Sequence, residues 1–370
     1  MSKTINAFKP DYIIPPGETL LELLDYNNMT QLELAKRIGM ASKTVNEIVK
    51  GKASITHETA EKLEYVFGLE ASFWNNLESN YREQLAEHEN QLELEKQIGE
   101  LKQWPIKELV KVGWIDDISQ DEPYEKVNKL LRFFGVTSFE NLRELISDTN
   151  ILEGAYRIAA TQEINENALI CWIRKGEIEA NQINTADFSK EIAKGKIDEL
   201  RQLTLVTDSN VFIPKIQEIC AEFGVAVVIV PEVKGSKVSG ITRWLSPKPK
   251  AIIQLSLRYK THDTLWFTFF HELGHILLHR KSKPFIELMG KDYLDSKEEQ
   301  EANDFASNVL IPQAAYQLFI ESDRYRSKEG IRSFAEEIGI HPGIVAGRLQ
   351  KEKLVDYSWY RDLKVYYQWK

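Results

Sequence analysis

His271-Glu272-Leu273-Gly274-His275 is the cluster of side chains in this sequence best placed to do chemistry. If the segment is helical, two residues four apart stand about 6 Å along the axis and roughly 40° around it, so both imidazoles can reach one ion. Zinc suits such a site because it is redox-inert and keeps an open position for water or substrate. Glu272 follows the first histidine along the same groove wall. There it can take a proton from an attacking water and pass it to a leaving amine. The pattern therefore predicts a zinc metallo-endopeptidase. The plainer reading is a buried structural histidine pair. It fits poorly, because Leu265 to Leu278 is otherwise mostly apolar and burying such groups unpaired is costly. Gly274 inside a helix also costs stability relative to Ala, which makes sense where another backbone or the substrate passes close.

The third ligand must come from elsewhere. His279 lies eight residues after His271, about 12 Å along a continuing helix, too far to share the ion. It reads as a helix-end residue whose partial charge suits the dipole. Residues 298–306 supply several carboxylates, separated by helical phase. Ala302, Phe305, Ala306 and Val309 mark a buried face, and Glu299 lies near it. Glu301 sits about 100° from Ala302 and is the runner-up; Glu298 reads as solvated. Asn303, four residues after Glu299, is expected to hold the ligand carboxylate from outside. No residue stands out as an oxyanion donor; Tyr259, His262 and Tyr293 are candidates whose plainer role is structural.

The elements around this cluster predict an α+β fold, mostly α. Phe212 to Phe223 reads as a helix ended by Gly224. Val225 to Val230 is a β-branched run and hence a buried strand. Ile241 to Leu245 and Ala251 to Ser256 read as further strands. A long apolar helix follows Thr264, and another spans about 297–309. The chain divides into a helix-turn-helix domain at 1–80, a helical linker at 81–103 and a helical domain at 104–207. A zinc metallopeptidase core with a small sheet follows at 208–320, then a carboxy-terminal helical segment at 321–370.

The amino-terminal part carries a second signature. Thr30-Gln31-Leu32-Glu33 is a capping box, Gly39 a left-handed stop, and Ser42 a cap for the next helix through Val49. Helix, glycine turn, helix is the layout that places a recognition helix in the major groove. Gln31, Ser42, Lys43, Thr44, Asn46 and Lys50 are the candidate DNA contacts. Basic residues outnumber acidic ones over 30–56, inside a chain whose net charge is −9. That acidic total argues against a protein coated in nucleic acid, but not against one basic face.

Whole-chain features narrow the class. The 370 residues are 43% hydrophobic and 28% charged, ordinary for a globular protein of two or three domains. Two cysteines, far apart, give no disulfide framework. With no apolar leader after Met1 and no run able to span a bilayer, a cytoplasmic location with no membrane partner is expected.

Two resemblances follow from these residues. His271 to His279, Glu299 to Ala306, Ile311-Pro312, Val238-Ser239-Gly240 and Ile340 to Gln350 resemble the ImmA/IrrE metallo-endopeptidase family over roughly 150–355. That resemblance implies a gluzincin-like fold with two histidines and one glutamate on zinc, and a regulatory protease that cuts a DNA-bound repressor. In this pattern the strand before the zinc helix, here Ala251 to Ser256, commonly pairs with the extended substrate. The gluzincin pattern often has Asp where this chain has Asn303. Ile14 to Glu18, the helix-turn-helix, Lys50 to Thr56, Phe67-Gly68 and Phe73-Trp74 are similar to HigA-type antitoxins of the Xre class over roughly 10–80. This implies operator binding as a homodimer and a possible toxin partner, although the long extension departs from a simple antitoxin. The combined reading is a transcriptional regulator with zinc endopeptidase activity against a repressor or antitoxin. The alternative is a non-proteolytic autoregulatory antitoxin or transcription factor that uses the protease-like domain as a sensor. Self-cleavage through Ser236, Lys237 and Ser239 ranks last.

Overall fold

A computed structural model describes residues 13–148, 165–245, 250–256, 258, 260–279, 285–288 and 297–367. The chain forms two compact units, Met1–Ile98 and Gly99–Lys370.

The first unit consists of helices α1 (Pro16–Tyr26), α2 (Gln31–Arg37), α3 (Ser42–Val49), α4 (His57–Phe67) and α5 (Ala71–Glu95). Leu20, Leu24, Leu34, Ala35, Val45, Ile48, Leu63 and Trp74 fill its core. Gly17 lets α1 meet α3 backbone to backbone: a Cβ there would lie 2.1 Å from the Val49 carbonyl oxygen. Gly39, at φ +66°, makes the turn between α2 and α3. The capping box is only half formed. Thr30 accepts from the Glu33 amide at 3.2 Å, but the Glu33 carboxylate takes Arg37 Nη2 at 2.6 Å instead of the cap amide. Ser42 is not a cap; Ala41 holds that position and Ser42 is the first helical residue. The helix α5 runs unbroken through residue 80, where a boundary was expected. Its Glu78 is buried and accepts from the Ile55 amide at 3.1 Å, so α5 belongs to this unit.

The second unit is built on a four-stranded sheet of order β1-β3-β2-β4: Val225–Ile229, Lys250–Leu255, Val238–Leu245 and Phe285–Leu288. Before it come α6 (Ile106–Lys111), α7 (Pro123–Phe134), α8 (Phe139–Asp148), α9 (Glu166–Gln182), α10 (Lys190–Gly195), α11 (Ile197–Gln202) and α12 (Ser209–Glu222). Alternate residues of β1 face opposite ways. Ala226 and Val228 pack with Trp172 and Leu169 of α9. Val225 and Val227 pack with Phe212 and Ile216 of α12 and with α13 (His262–Leu278). A strand buried on both faces favours apolar residues throughout, which is why this run shows no alternation. The remaining helices, α14 (Lys297–Leu310), α15 (Gln313–Glu321), α16 (Lys328–Ile338) and α17 (Pro342–Lys351), share the α13 side of the core.

The strand expected to be a substrate-binding edge is central. β3 pairs with β1 in parallel, Val227 opposite Ile253, and with β2 antiparallel, Thr242 opposite Ile253. Its Ala-Ile-Ile-Gln-Leu run is buried throughout, as a central strand requires. The outermost strand on the β2 side is β4.

Two sets of contacts position the helices of the candidate site. Arg201 of α11 donates to the carbonyls of Val309 and Leu310 at the end of α14 and to those of Ile338 and Gly339 at the end of α16, at 2.6 to 3.4 Å. One guanidinium thereby satisfies carbonyls that a helix end leaves open. The start of α13 lies at His262, two residues before the expected point, and is tied to the 364–367 segment. His262 N donates to Val365 O at 3.0 Å, and Lys364 Nζ meets Asp263 Oδ2 at 2.8 Å.

The His262 ring is fully buried and accepts from Trp266 Nε1 at 3.0 Å. Burial, reinforced by neighbouring His341, holds its pKa down at about 3. An unfolded chain would protonate this histidine near pH 6.5. The folded pKa is depressed, so this stability is present above pH 6.5 and is lost as pH falls toward 3, at up to about 1.4 kcal/mol per unit. Thermal unfolding should show the advantage of wild type over His262→Gln shrinking as pH is lowered from 7 to 4. A constant difference across that range would exclude this coupling.

Candidate metal centre

His271, Glu272 and His275 lie on α13, and Glu299 comes from α14. All four are buried. Two of the sequence's own features bring the helices together. Gly274 faces α14 so closely that a Cβ would sit 3.0 Å from Phe305 Cδ1 and 3.3 Å from Ala302 Cα. Ala302 and Ala306, one turn apart on α14, are fully buried. The mid-helix glycine therefore serves helix packing.

The ligand-type atoms converge. His271 Nε2 lies 3.0 Å from His275 Nε2. Glu299 Oε2 is 3.2 Å from the first, and its Oε1 is 3.3 Å from the second. Among the described residues, this is the group of three or more such side chains that could hold a metal ion, its donor atoms all within 4.8 Å. Burial pushes the Glu299 carboxyl up, but hydrogen bonds from His271 and His275 outweigh it and bring the pKa down to about 2. Burial likewise lowers His275, with Glu299 opposing. An ionised carboxylate and two imidazoles focused on one enclosed point suit a divalent cation, and two nitrogens with one oxygen suit a borderline one.

The structure sorts the other carboxylates and histidines. Glu301 stands outside the cluster: its Oε2 is 3.1 Å from His279 Nε2, and its Oε1 is 3.5 Å from Lys297 Nζ. His279 ends α13, and its Nδ1 lies 3.0 Å from His275 Nδ1. Asn303 does not hold the Glu299 carboxylate, as expected from sequence; its Oδ1 lies 3.2 Å from His271 Nδ1. Four residues along a helix put Asn303 above Glu299, but its short side chain turns to the facing helix.

Glu272 points at the sheet. A Cβ on Gly240 of β2 would lie 2.7 Å from Glu272 Oε1 and 2.8 Å from Thr268 Cγ2. Thr242 Oγ1 donates to the Glu272 carbonyl at 3.1 Å. Gly240 and Thr242 are site residues that periodicity could not reveal; the signal was a glycine in a strand, which marks a close approach. His262 is no oxyanion donor, being nine residues before His271 and so roughly 13 Å away along the helix. Tyr259 and Tyr293 lie outside the described residues. Ser236 is fully buried and Lys237 sits at φ +49°, a turn geometry that offers no exposed nucleophile.

On the first unit, Ser42, Lys43 and Lys50 are exposed, and Gln31, Thr44 and Asn46 are half-buried. They lie on or beside α2 and α3, whose apolar faces are turned to the core.

Comparison with known proteins places both parts. Residues 220–350 match the IrrE N-terminal-like domain, from just before β1 to α17, and residues 14–74 match the helix-turn-helix family. The chain unites an IrrE-like domain with a helix-turn-helix domain. It is 34% identical over 79 residues to the uncharacterized HTH-type transcriptional regulator YddM of Escherichia coli, covering 21% of this chain and 82% of that protein. Virulence-associated protein I of Dichelobacter nodosus is 35% identical over 79 residues, 21% and 73% of the two chains. Among solved structures, a HigA-family addiction module antidote protein from Coxiella burnetii shares 35% identity over 23% of this chain and 92% of its own, with a TM-score of 0.21. The Pseudomonas aeruginosa antitoxin HigA, solved with the higBA promoter, shares 32% identity over 23% and 94%, with a TM-score of 0.22.

Proposed function

We propose that the protein is a DNA-binding transcriptional regulator whose IrrE-like domain is a zinc-dependent endopeptidase acting on a repressor or antitoxin protein. The observation that carries this reading is the buried convergence of His271, His275 and Glu299, with Glu272 on the same helix.

His271, His275 and Glu299 would hold zinc. When bound, the ion supplies a Lewis acid that polarises the scissile carbonyl and favours ionisation of water. Glu272 accepts a proton from the attacking water as the C–O bond forms, and then delivers it to the amine nitrogen as the C–N bond breaks. Its side chain is fully buried against Gly240 and held in place by α13. Asn303 orients His271. The extended substrate would add to the sheet at β4, which pairs with the strand carrying Gly240, Glu287 standing opposite that glycine.

The helix-turn-helix family match over 14–74 supports operator DNA as the partner of the first unit. Gln31, Ser42, Lys43, Thr44, Asn46 and Lys50 are the proposed contacts. A homodimer would fit a two-fold operator. A toxin partner would follow from the resemblance of residues 10–80 to HigA-type antitoxins.

Elemental analysis of purified protein should find one zinc per chain, and Glu299→Ala should lose it; full zinc in that variant would move the ligand role to another carboxylate. Glu272→Gln should keep zinc yet lose cleavage of a neighbouring-gene repressor or antitoxin by at least about 100-fold, the range of general acid–base catalysis. Unchanged cleavage would overturn Glu272's role. For DNA, Asn46→Ala should weaken binding to a duplex from upstream of its own gene by about 1–3 kcal/mol in a gel-shift titration, if Asn46 reads a base. Wild type that leaves every such duplex unshifted would remove the DNA assignment.

A further inference from the structure

We propose that His279 and Glu301 form a relay that fixes the tautomer of His275 and so sets how tightly the centre holds its metal. The inference rests on the metal-centre reading above and asks what the two side chains left outside the cluster do.

The chemistry runs inward from the carboxylate. Glu301 Oε2 lies 3.1 Å from His279 Nε2. An ionised carboxylate only accepts, so the proton of this bond sits on His279 Nε2. A neutral His279 then presents a lone pair at Nδ1, the atom 3.0 Å from His275 Nδ1. His275 must donate from its own Nδ1, which leaves the lone pair on Nε2. That is the atom that meets Glu299 at 3.3 Å and His271 Nε2 at 3.0 Å. Each link leaves one tautomer for the next.

His271 reaches the same end by a different route. The Asn303 carbonyl oxygen, 3.2 Å from its Nδ1, accepts that proton and turns Nε2 inward. A neutral amide thus supports one histidine, and a carboxylate acting through an imidazole supports the other. Outer partners of this kind orient a ligand and raise its basicity. The arrangement also accounts for two glutamates spaced two apart on α14. Glu299 and Glu301 lie about 200° apart on the helix, so one faces the ion and the other reaches the end of α13. His279, four residues after His275, spans the gap between that imidazole and Glu301.

The relay is tested by zinc affinity, measured by competition with a chelator on the full chain. His279→Ala should weaken zinc binding roughly 10- to 100-fold. Glu301→Ala should weaken it by a smaller factor. The double variant should bind as His279→Ala does, because Glu301 acts only through His279. Nitrogen-15 NMR of histidine-labelled wild type should show the His275 proton on Nδ1. Glu301 is partly exposed, so its variant tests the relay even if His279→Ala fails to fold. Variants that bind zinc as tightly as wild type, losses that add in the double variant, or a His275 proton on Nε2 would each overturn the relay while leaving the metal centre intact. Wild type that takes up no zinc would overturn both.

Discussion

The near-contact of α13 with α14 at Gly274 is the constraint on which the second unit depends. A Cβ at that position would crowd Phe305 and Ala302, so that one of the two helices would have to give by a few tenths of an ångström. The close approach is what sets the Glu299 carboxylate 3.2 and 3.3 Å from the two imidazoles. Everything around the pair holds this distance. Arg201 fastens the far end of α14, and the 364–367 segment fastens the near end of α13. The sheet, through Gly240 and Thr242, supports the wall on which Glu272 lies.

Much of this was legible in the sequence, for a local reason. Four-residue spacing on a helix decides which side chains share a face, so His271 and His275 follow from the order of residues alone. The same phase reasoning favoured Glu299 over Glu301, because small apolar Ala302 and Ala306 betray the face turned inward. Gly39 reads correctly as a helix stop, since it adopts a left-handed backbone that other residues avoid. The apolar β1 run likewise declared a strand buried on both sides.

What failed to read through was non-local or competitive. Strand order depends on pairings between distant segments, so β3 reads as an edge in the sequence although β1 and β2 flank it. Asn303 was assigned to the wrong partner because helical phase says where a side chain starts and not where a short amide turns. Glu33 had two attractive partners, the cap amide and Arg37, and the full positive charge won. His279 was read as a residue answering a helix dipole; its real partners are another imidazole and a carboxylate twenty-two positions away, which no spacing rule links.

The tie between His262 and Val365 has a consequence for synthesis. Chains emerge from the ribosome amino end first, and domains fold as units. The histidine helix appears about a hundred residues before the segment that secures its first turn. Until Val365 and Lys364 have emerged, the amide of His262 and the carboxylate of Asp263 lack the partners they have in the finished fold. The β1 strand is better placed, because α9 and α12, which pack on its two faces, are synthesised before it. A nascent chain of this protein therefore stays without an assembled centre through most of its translation. The cluster of His271, His275 and Glu299 is thus secured only after the segment around Val365 is present.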